Sequence, residues 1–241
     1  VGLVLGEVVA TTDRDYLCAN LDWWPGCDNW GECAWRDASI LSVNLSDPAL
    51  QSAAQQLSPF VLRLGGSLSD GITFAADDDD ADCPPMRELG MERARFSFEG
   101  GCLRRSRWDA LCSFCRLNGC RILFCLNALV GRSREGYTDW RGDWDSANAR
   151  ELIRHAAASG QLGREVLGFQ LGNEVLAPRG LGARLPAAQL GREFAELARL
   201  LEELSPEAQA HPGPAAGAQH PGRRPAWQRP ILVGPSSSFH R

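Results

Sequence analysis

The sequence predicts an α/β fold of about five parallel strands with crossover helices, either an incomplete (β/α)8 TIM barrel or a doubly wound sheet. Short apolar runs typical of buried strands alternate with amphipathic stretches at helical spacing along most of the 241 residues. A complete barrel uses about 250 residues, but long insertions leave room here for only about five strands. A doubly wound sheet would show the same alternation, so the sequence leaves both architectures open.

The predicted strands are short and apolar, as strands buried on both faces are. They cover residues 16–21, 60–64, 121–126, 166–171 and 230–233. The helices between them are predicted over residues 46–57, 108–119, 146–159 and 187–204. Asp47 is the expected N-cap of the first helix, and Gly119 and Gly160 are the expected ends of the second and third. The last helix carries the longest apolar stripe.

Two long insertions interrupt this alternation. Residues 75–101 include the acidic run Asp77–Asp80, which favours a solvated surface because the spaced ligands and glycine of a calcium loop are lacking. Residues 205–229 are rich in Pro, Ala, Gly and Gln, and they predict a disordered insertion without core residues.

Composition and charge exclude several classes of protein. With 44% hydrophobic and 23% charged residues, the chain is not collagen-like, coiled-coil or wholly disordered. A formal net charge of −5 argues against nucleic acid as a partner. All 25 basic residues are Arg, which excludes Schiff-base and Walker-type lysines from this chain. No apolar run reaches the roughly 18 residues that span a bilayer.

Nine cysteines are many for a cytosolic protein. The pairs Cys27/Cys33 and Cys83/Cys102 lie in loop-like sequence flanked by Pro and Gly, where an oxidising compartment places disulfides. Four others lie in apolar stretches and are expected to pack as small hydrophobic side chains rather than bind zinc: Cys112, Cys115, Cys120 and Cys125. The single glycosylation sequon begins at Asn44.

Polar side chains follow the predicted strands, at the edge where parallel α/β proteins place their active sites. Asp22 follows the first strand, Ser67 completes a Gly-Gly-Ser turn after the second, and Asn127 follows the third. Asn173 and Glu174 follow the fourth. Amides and carboxylates suit the hydroxyl groups of a carbohydrate, whereas a phosphate site would call for the GxGxxG spacing or a Lys.

Two of these positions leave alternatives open. Glu174 is placed to act as a general acid for a glycosidic oxygen, but a helix-capping or salt-bridging Glu would occupy the same position. Trp23 belongs to a cluster of four Trp within thirteen residues. It is predicted to cover the apolar face of a sugar ring, the other interpretation being a satellite core beneath the loop of Cys27 and Cys33.

Seven segments between Thr11 and Pro235 form a series: LCANLDWWPGCDNWGECAW, LSPFVLRLGGSLSDGITF, GGCLRRSRWDAL, ILFCLNALVGR, WRGDWDSANARELIRHAAASG, LGFQLGNE and ILVGP. In this order they resemble the plant-type heparanase-like proteins, a family of endo-β-glucuronidases and β-glucuronidases. The resemblance implies a (β/α)8 barrel followed by a β-sandwich, and a retaining mechanism that uses two Glu. It implies that Glu174 is the acid/base beside Asn173, and that Asp22 and Ser67 contact substrate. We predict no cofactor and no metal.

The resemblance also implies parts that the given residues do not supply. The nucleophile of the family is a Glu after the seventh strand, and the last strand predicted here is the fifth. We therefore expect residues 1–241 to be the N-terminal part of a catalytic domain in a longer gene product. The alternative is a truncated, catalytically inactive carbohydrate-binding relative.

The resemblance further implies where the protein works and what it meets. Members of the family enter the secretory pathway and occur in the cell wall, the extracellular space or lysosome-like compartments, some of them peripherally on membranes. The expected partner is a polysaccharide or glycan substrate. The oligomeric state stays open.

Overall fold

The computed structural model describes residues 7–13, 15–25, 38–77, 83–88, 98–135, 139–175, 183–204 and 229–236. Several sequence predictions fall outside these ranges. They are the pair Cys27/Cys33, the acidic residues from Asp78 to Asp80, and all of the insertion 205–229 except Arg229.

Five parallel strands form the central sheet, and each lies beside the strand that precedes it in the sequence. They are β1 (Cys18–Leu21), β2 (Phe60–Leu64), β3 (Cys120–Leu126), β4 (Val166–Leu171) and β5 (Ile231–Val233). A doubly wound sheet reverses its strand order at a switch point, and this sheet does not. The strands therefore follow one another as in a (β/α)8 barrel, which confirms the predicted fold class.

Among the described residues, one α-helix lies between each pair of successive strands of the sheet, as predicted. The helices are α1 (Pro48–Leu57), α2 (Arg105–Asn118), α3 (Ala147–Ala158) and α4 (Ala187–Leu204). Asp47 caps α1, because its Oδ1 accepts the N–H groups of Ala49 and Leu50 at 2.8 and 3.0 Å. Gly119 ends α2 in the left-handed conformation, with φ of 74°.

Several boundaries differ from the prediction by one to three residues, and two of these differences have a clear cause. The first strand begins two residues later than residue 16, because the Tyr16 N–H bonds the Asp13 carbonyl at 3.1 Å in a turn. The second helix begins three residues before Trp108, since the short strand Cys102–Arg104 leads directly into it.

Three short strand pairs outside the main sheet were not predicted. Two belong to the first insertion and its borders: Thr73–Ala75 pairs in parallel with Cys102–Arg104, and Arg87–Glu88 pairs antiparallel with Phe98–Glu99. The third joins Ser133–Arg134 to Trp140–Arg141. Because these strands have only two or three residues each, they carry no periodic signal in the sequence.

The cysteines behave only partly as expected. Cys83 and Cys102, one of the two pairs singled out in the sequence, form a disulfide with Cα atoms 5.1 Å apart. Cys115 and Cys120 are buried in the core as expected, but they also form a disulfide, which was not predicted. The turn at Gly119 brings the end of α2 beside the start of β3, which places their Cα atoms 4.4 Å apart. Cys112 and Cys125 are buried free thiols.

The core lies between the sheet and the helices. Trp108 of α2 is fully buried and meets Phe124 of β3 edge to face, with ring centroids 5.2 Å apart. Phe169 of β4 and Leu197 of α4 are equally buried. Within the described residues, no helix has the length and apolarity needed to cross a membrane.

Candidate active site

The loops that follow the first four strands meet at the carboxyl edge of the sheet, as predicted. Gly66, after β2, touches Asp22, after β1, so closely that a Cβ on Gly66 would lie 1.9 Å from the Asp22 Oδ2. The turn Ser69–Gly71 contributes Asp70, whose carboxylate bonds the loops after β3 and β4. The edge is therefore assembled from residues far apart in sequence.

Asp22 is held in place by its own loop. Its Oδ1 accepts the N–H of Trp23 at 2.6 Å. Burial raises the pKa of the Asp22 carboxyl, and the Trp23 N–H and the Arg63 charge oppose this rise.

Arg63, which lies on β2, connects three strands of the sheet. Its Nη1 donates to the Asn20 Oδ1 on β1 at 2.8 Å, and its Nε donates to the Gln170 Oε1 on β4 at 3.1 Å. Its Nη2 donates to the Asn173 Oδ1 at 2.7 Å. Arg63 and Gln170 were not predicted as site residues, although a charged or amide side chain within an otherwise apolar strand was a usable signal.

Asn173 and Glu174 come directly after β4 and differ in their surroundings. Asn173 is buried, whereas Glu174 is only half-buried. The Glu174 N–H donates to the carbonyl of Ser236, after β5, at 3.0 Å. Within the described part of the chain, the Glu174 carboxylate makes no hydrogen bond or ion pair, so neither a cap nor a salt bridge explains it there. A half-buried carboxyl group left available in this way suits proton transfer to a ligand.

Asp70 lies in the turn Ser69–Gly71 after β2, where its carboxylate meets two neighbouring loops. It accepts the N–H of Ala128 at 2.8 Å and the N–H of Asn173 at 2.9 Å. Burial raises the pKa of Asp70 to about 6, opposed by these two N–H groups and by the charge of Arg132.

The remaining predicted residues are placed as follows. Ser67 is half-buried in the turn after β2. The side chain of Asn127 holds its own loop against the segment after β2, since Nδ2 donates to the Ile72 carbonyl at 3.1 Å and Oδ1 accepts the Leu129 N–H at 2.7 Å. The side chain therefore supports the loop after β3.

Trp23 is a core residue, so the prediction that it covers a sugar ring is wrong. Its side chain has 0% exposure, and its Nε1 donates to the Ser69 Oγ at 3.0 Å. Its ring packs edge to face on Phe124 with centroids 5.9 Å apart. No face of the indole is left for a ligand. In the neighbouring position Trp24 is half-buried and lies edge to face with Phe98.

The polar side chains at this edge carry amides, carboxylates, the Ser67 hydroxyl and the Arg63 guanidinium. No cluster of three or more His, Cys, Asp or Glu suited to a metal ion occurs among the residues that the structure describes. What the arrangement offers is hydrogen bonding to hydroxyl groups around the Glu174 carboxyl.

Comparison with known proteins places the chain in a family. Residues 3–220 match the N-terminal domain of glycosyl hydrolase family 79. The chain is 36% identical over 198 residues to heparanase-like protein 3 of Arabidopsis thaliana, and this match covers 81% of the chain and 36% of that protein. Heparanase-like protein 1 of the same plant is 30% identical over 235 residues, a match that covers 97% of the chain and 39% of that protein.

A third relative, baicalin-beta-D-glucuronidase of Scutellaria baicalensis, is 31% identical over 182 residues. That match covers 69% of this chain and 33% of the relative. The chain thus spans less than two fifths of the length of these curated relatives.

Proposed function

We propose, since this chain belongs to glycosyl hydrolase family 79, that the full-length gene product is a retaining glycoside hydrolase of glucuronic-acid-containing polysaccharides or proteoglycan glycans. The observation that carries the proposal is Glu174, which stands half-buried after β4, beside Asn173, with its carboxylate unengaged by the other described residues. The name of one relative, baicalin-beta-D-glucuronidase, supports a glucuronide as the substrate class.

In this mechanism Glu174 donates its proton to the glycosidic oxygen as the bond to the anomeric carbon breaks. It then takes a proton from the water that releases the sugar. A retaining enzyme also needs a nucleophilic carboxylate about 5–5.5 Å from the acid. Asp22 and Asp70 are not proposed for that role, because both carboxylates already bond backbone N–H groups of the loops.

Substrate binding is proposed for Asp22, Ser67 and Asn173. Asp22 and Ser67 lie in the adjoining loops after β1 and β2, and hydroxyl groups of a sugar suit both side chains. Asn173 offers its amide next to Glu174, with its oxygen already oriented by Arg63. Asn127 is proposed to act through the loop that its side chain supports.

Steady-state kinetics of the full-length product on an aryl β-glucuronide test this function. Glu174→Gln should lower kcat by at least about a hundredfold with little change in KM, because general acid catalysis contributes about 10²–10⁴. The control Glu151→Gln, at an exposed position of α3, should keep the parental rate. Turnover of Glu174→Gln at the parental rate would contradict the assignment. An inactive parent that still binds a glucuronic-acid oligosaccharide would favour the non-catalytic alternative.

We also propose that the protein enters the secretory pathway and works in the extracellular space, the cell wall or a lysosome-like compartment. Two disulfides within the described residues suit an oxidising compartment. Asn44 is exposed, and its Oδ1 accepts the N–H of Ser46 at 3.0 Å, so the sequon lies in an accessible turn.

Expression in plant cells tests this location. We expect an endoglycosidase-sensitive mobility shift that Ser46→Ala abolishes, with membrane fractions showing whether part of the protein associates peripherally. Recovery from the cytosol with reduced Cys83 and Cys102 would contradict the proposal.

A further inference from the structure

One carboxylate ties together the chain segments that follow three neighbouring strands. Asp70 lies in the 3-10 turn Ser69–Gly71 after β2. Its Oδ1 accepts the N–H of Ala128, after β3, and its Oδ2 accepts the N–H of Asn173, after β4. Only a carboxylate fits this pattern fully, because an amide has one acceptor oxygen and would turn its NH₂ towards the second N–H.

Glu174 has a backbone conformation that a non-glycine residue keeps only when its surroundings hold it. Its φ of 54° lies in the left-handed region, which is unfavourable for a residue with a Cβ. The Asn173 N–H is held by Asp70 at 2.9 Å, and the next N–H, that of Glu174, is held by the Ser236 carbonyl at 3.0 Å. Asp70 thus fixes the peptide group before Asn173, and Ser236 fixes the peptide group between Asn173 and Glu174.

The side chain of Asn173 is held separately. Its Oδ1 accepts a hydrogen bond from the Arg63 Nη2, whereas its backbone N–H donates to the Asp70 Oδ2. The two contacts use different groups of Asn173 and different partners. Loss of the Asp70 contact would therefore leave the side chain of Asn173 bound while the peptide before it becomes free to turn.

We propose that Asp70 is a positioning residue for the general acid: by accepting the Asn173 N–H, its carboxylate fixes the backbone from which the Glu174 side chain projects. The inference rests on the proposed function, in which Glu174 protonates the leaving oxygen. A reacting group displaced by about 1 Å costs about a hundredfold in rate. Asp70 thus acts on the reaction through Glu174 without touching the substrate.

Two substrates that differ in their leaving group distinguish the positioning role of Asp70 from a general loss of structure. A dinitrophenolate ion leaves without protonation, whereas a phenolate ion is basic enough to need the proton of the acid. A misdirected Glu174 therefore slows formation of the glycosyl-enzyme, the step that kcat/KM reports, selectively for a phenyl glucuronide. A loosened fold slows both substrates equally.

The experiment compares Asp70→Asn with Asp109→Asn in the full-length gene product. Asp109 is a matched control, because it is half-buried on α2 and hydrogen-bonds two side chains, Gln161 and His155, away from the strand ends. For Asp70→Asn we expect kcat/KM, which reports formation of the glycosyl-enzyme, to fall about a hundredfold on phenyl β-glucuronide and less than about threefold on dinitrophenyl β-glucuronide. For Asp109→Asn we expect the same factor on both substrates. An equal loss on both substrates, or no loss, for Asp70→Asn would overturn the proposal.

Hydrogen exchange distinguishes failure of this inference from failure of the proposed function. An inactive parent would refute the proposed function, but amide exchange of residues 172–175 should still become at least tenfold faster in Asp70→Asn and stay unchanged in Asp109→Asn. Unchanged exchange in Asp70→Asn would overturn the inference even if the parent is active. If Asp70→Asn does not fold, Asp70→Glu replaces it. This variant keeps both oxygens but shifts them by one methylene group, and the same selective loss on the phenyl substrate is expected.

Discussion

A buried ion pair behind the candidate active site gives the sharpest prediction about stability. The side chain of Arg132 is 0% exposed and that of Glu193, on α4, is 6% exposed. Arg132 also donates to the carbonyl groups of Ala128 at 2.9 Å and Gly142 at 2.5 Å. Because Ala128 also donates its N–H to Asp70, this ion pair supports one of the loops at the strand edge.

Glu193→Gln keeps the shape of the side chain and removes its charge. The buried guanidinium of Arg132 then lacks its counter-charge, and breaking a buried pair in this way costs about 3–5 kcal/mol. Gln can still accept one hydrogen bond from Arg132, so we expect a loss near the lower limit, about 3 kcal/mol. The exposed pair of Arg150 and Glu203 is the matched control, with side-chain exposures of 33% and 59%. Glu203→Gln should lower the unfolding free energy far less than Glu193→Gln, because solvent screens the exposed pair.

Urea denaturation measures both variants, with the slope of the transition checked for constancy. Equal losses of unfolding free energy in Glu193→Gln and Glu203→Gln would contradict this prediction. A further check is the double variant Arg132→Met with Glu193→Leu, which removes both charges and should be more stable than Glu193→Gln.

Three further predictions concern the strand edge. Gly66→Ala should lower kcat/KM at least tenfold, because its Cβ would lie 1.9 Å from the Asp22 Oδ2. The control Gly100→Ala, also at positive φ but with open space around its Cβ, should keep kcat/KM within that limit. The raised pKa of Asp70, about 6 against the ordinary 3.8, means that the folded state binds this proton more tightly. The unfolding free energy of the parent relative to Asp70→Asn should therefore be greatest below pH 3.8 and fall, by at most about 3 kcal/mol, as the pH rises through 6. A difference in urea midpoint between the parent and Asp70→Asn that is the same at pH 4 and at pH 7 would contradict this. Trp23→Phe should destabilise the fold by about 1–3 kcal/mol and leave KM within about twofold, since Trp23 is a core residue. A large rise in KM with unchanged stability would instead show that Trp23 contacts the ligand.

The order of strands and helices could be predicted because its signals are local. Asp47 caps a helix and Gly119 ends one through contacts with residues close in sequence. The polar residues at the strand ends could be predicted for a related reason, since parallel strands place their carboxyl ends at one edge.

What the sequence did not predict depends on contacts between distant residues. Arg63 binds Asn20, Gln170 and Asn173, which are 43 to 110 residues away along the chain. Trp23 can be fully buried because the Oγ of Ser69, 46 residues later, accepts a hydrogen bond from its indole N–H. The Cys115–Cys120 disulfide depends on how tightly the Gly119 turn closes, which spacing alone does not show.

The central claim is that Glu174 is the acid/base of a retaining glucuronidase, and azide rescue tests it most directly. Glu174→Ala in the full-length product should still form the glycosyl-enzyme from dinitrophenyl β-glucuronide, because this leaving group needs no proton. Azide, which fits where the carboxyl group was and needs no general base, should raise turnover at least tenfold. The predicted product, identified by NMR, is the β-glucuronyl azide, with retained configuration. Turnover that azide does not raise, or an α-azide product, would contradict the claim.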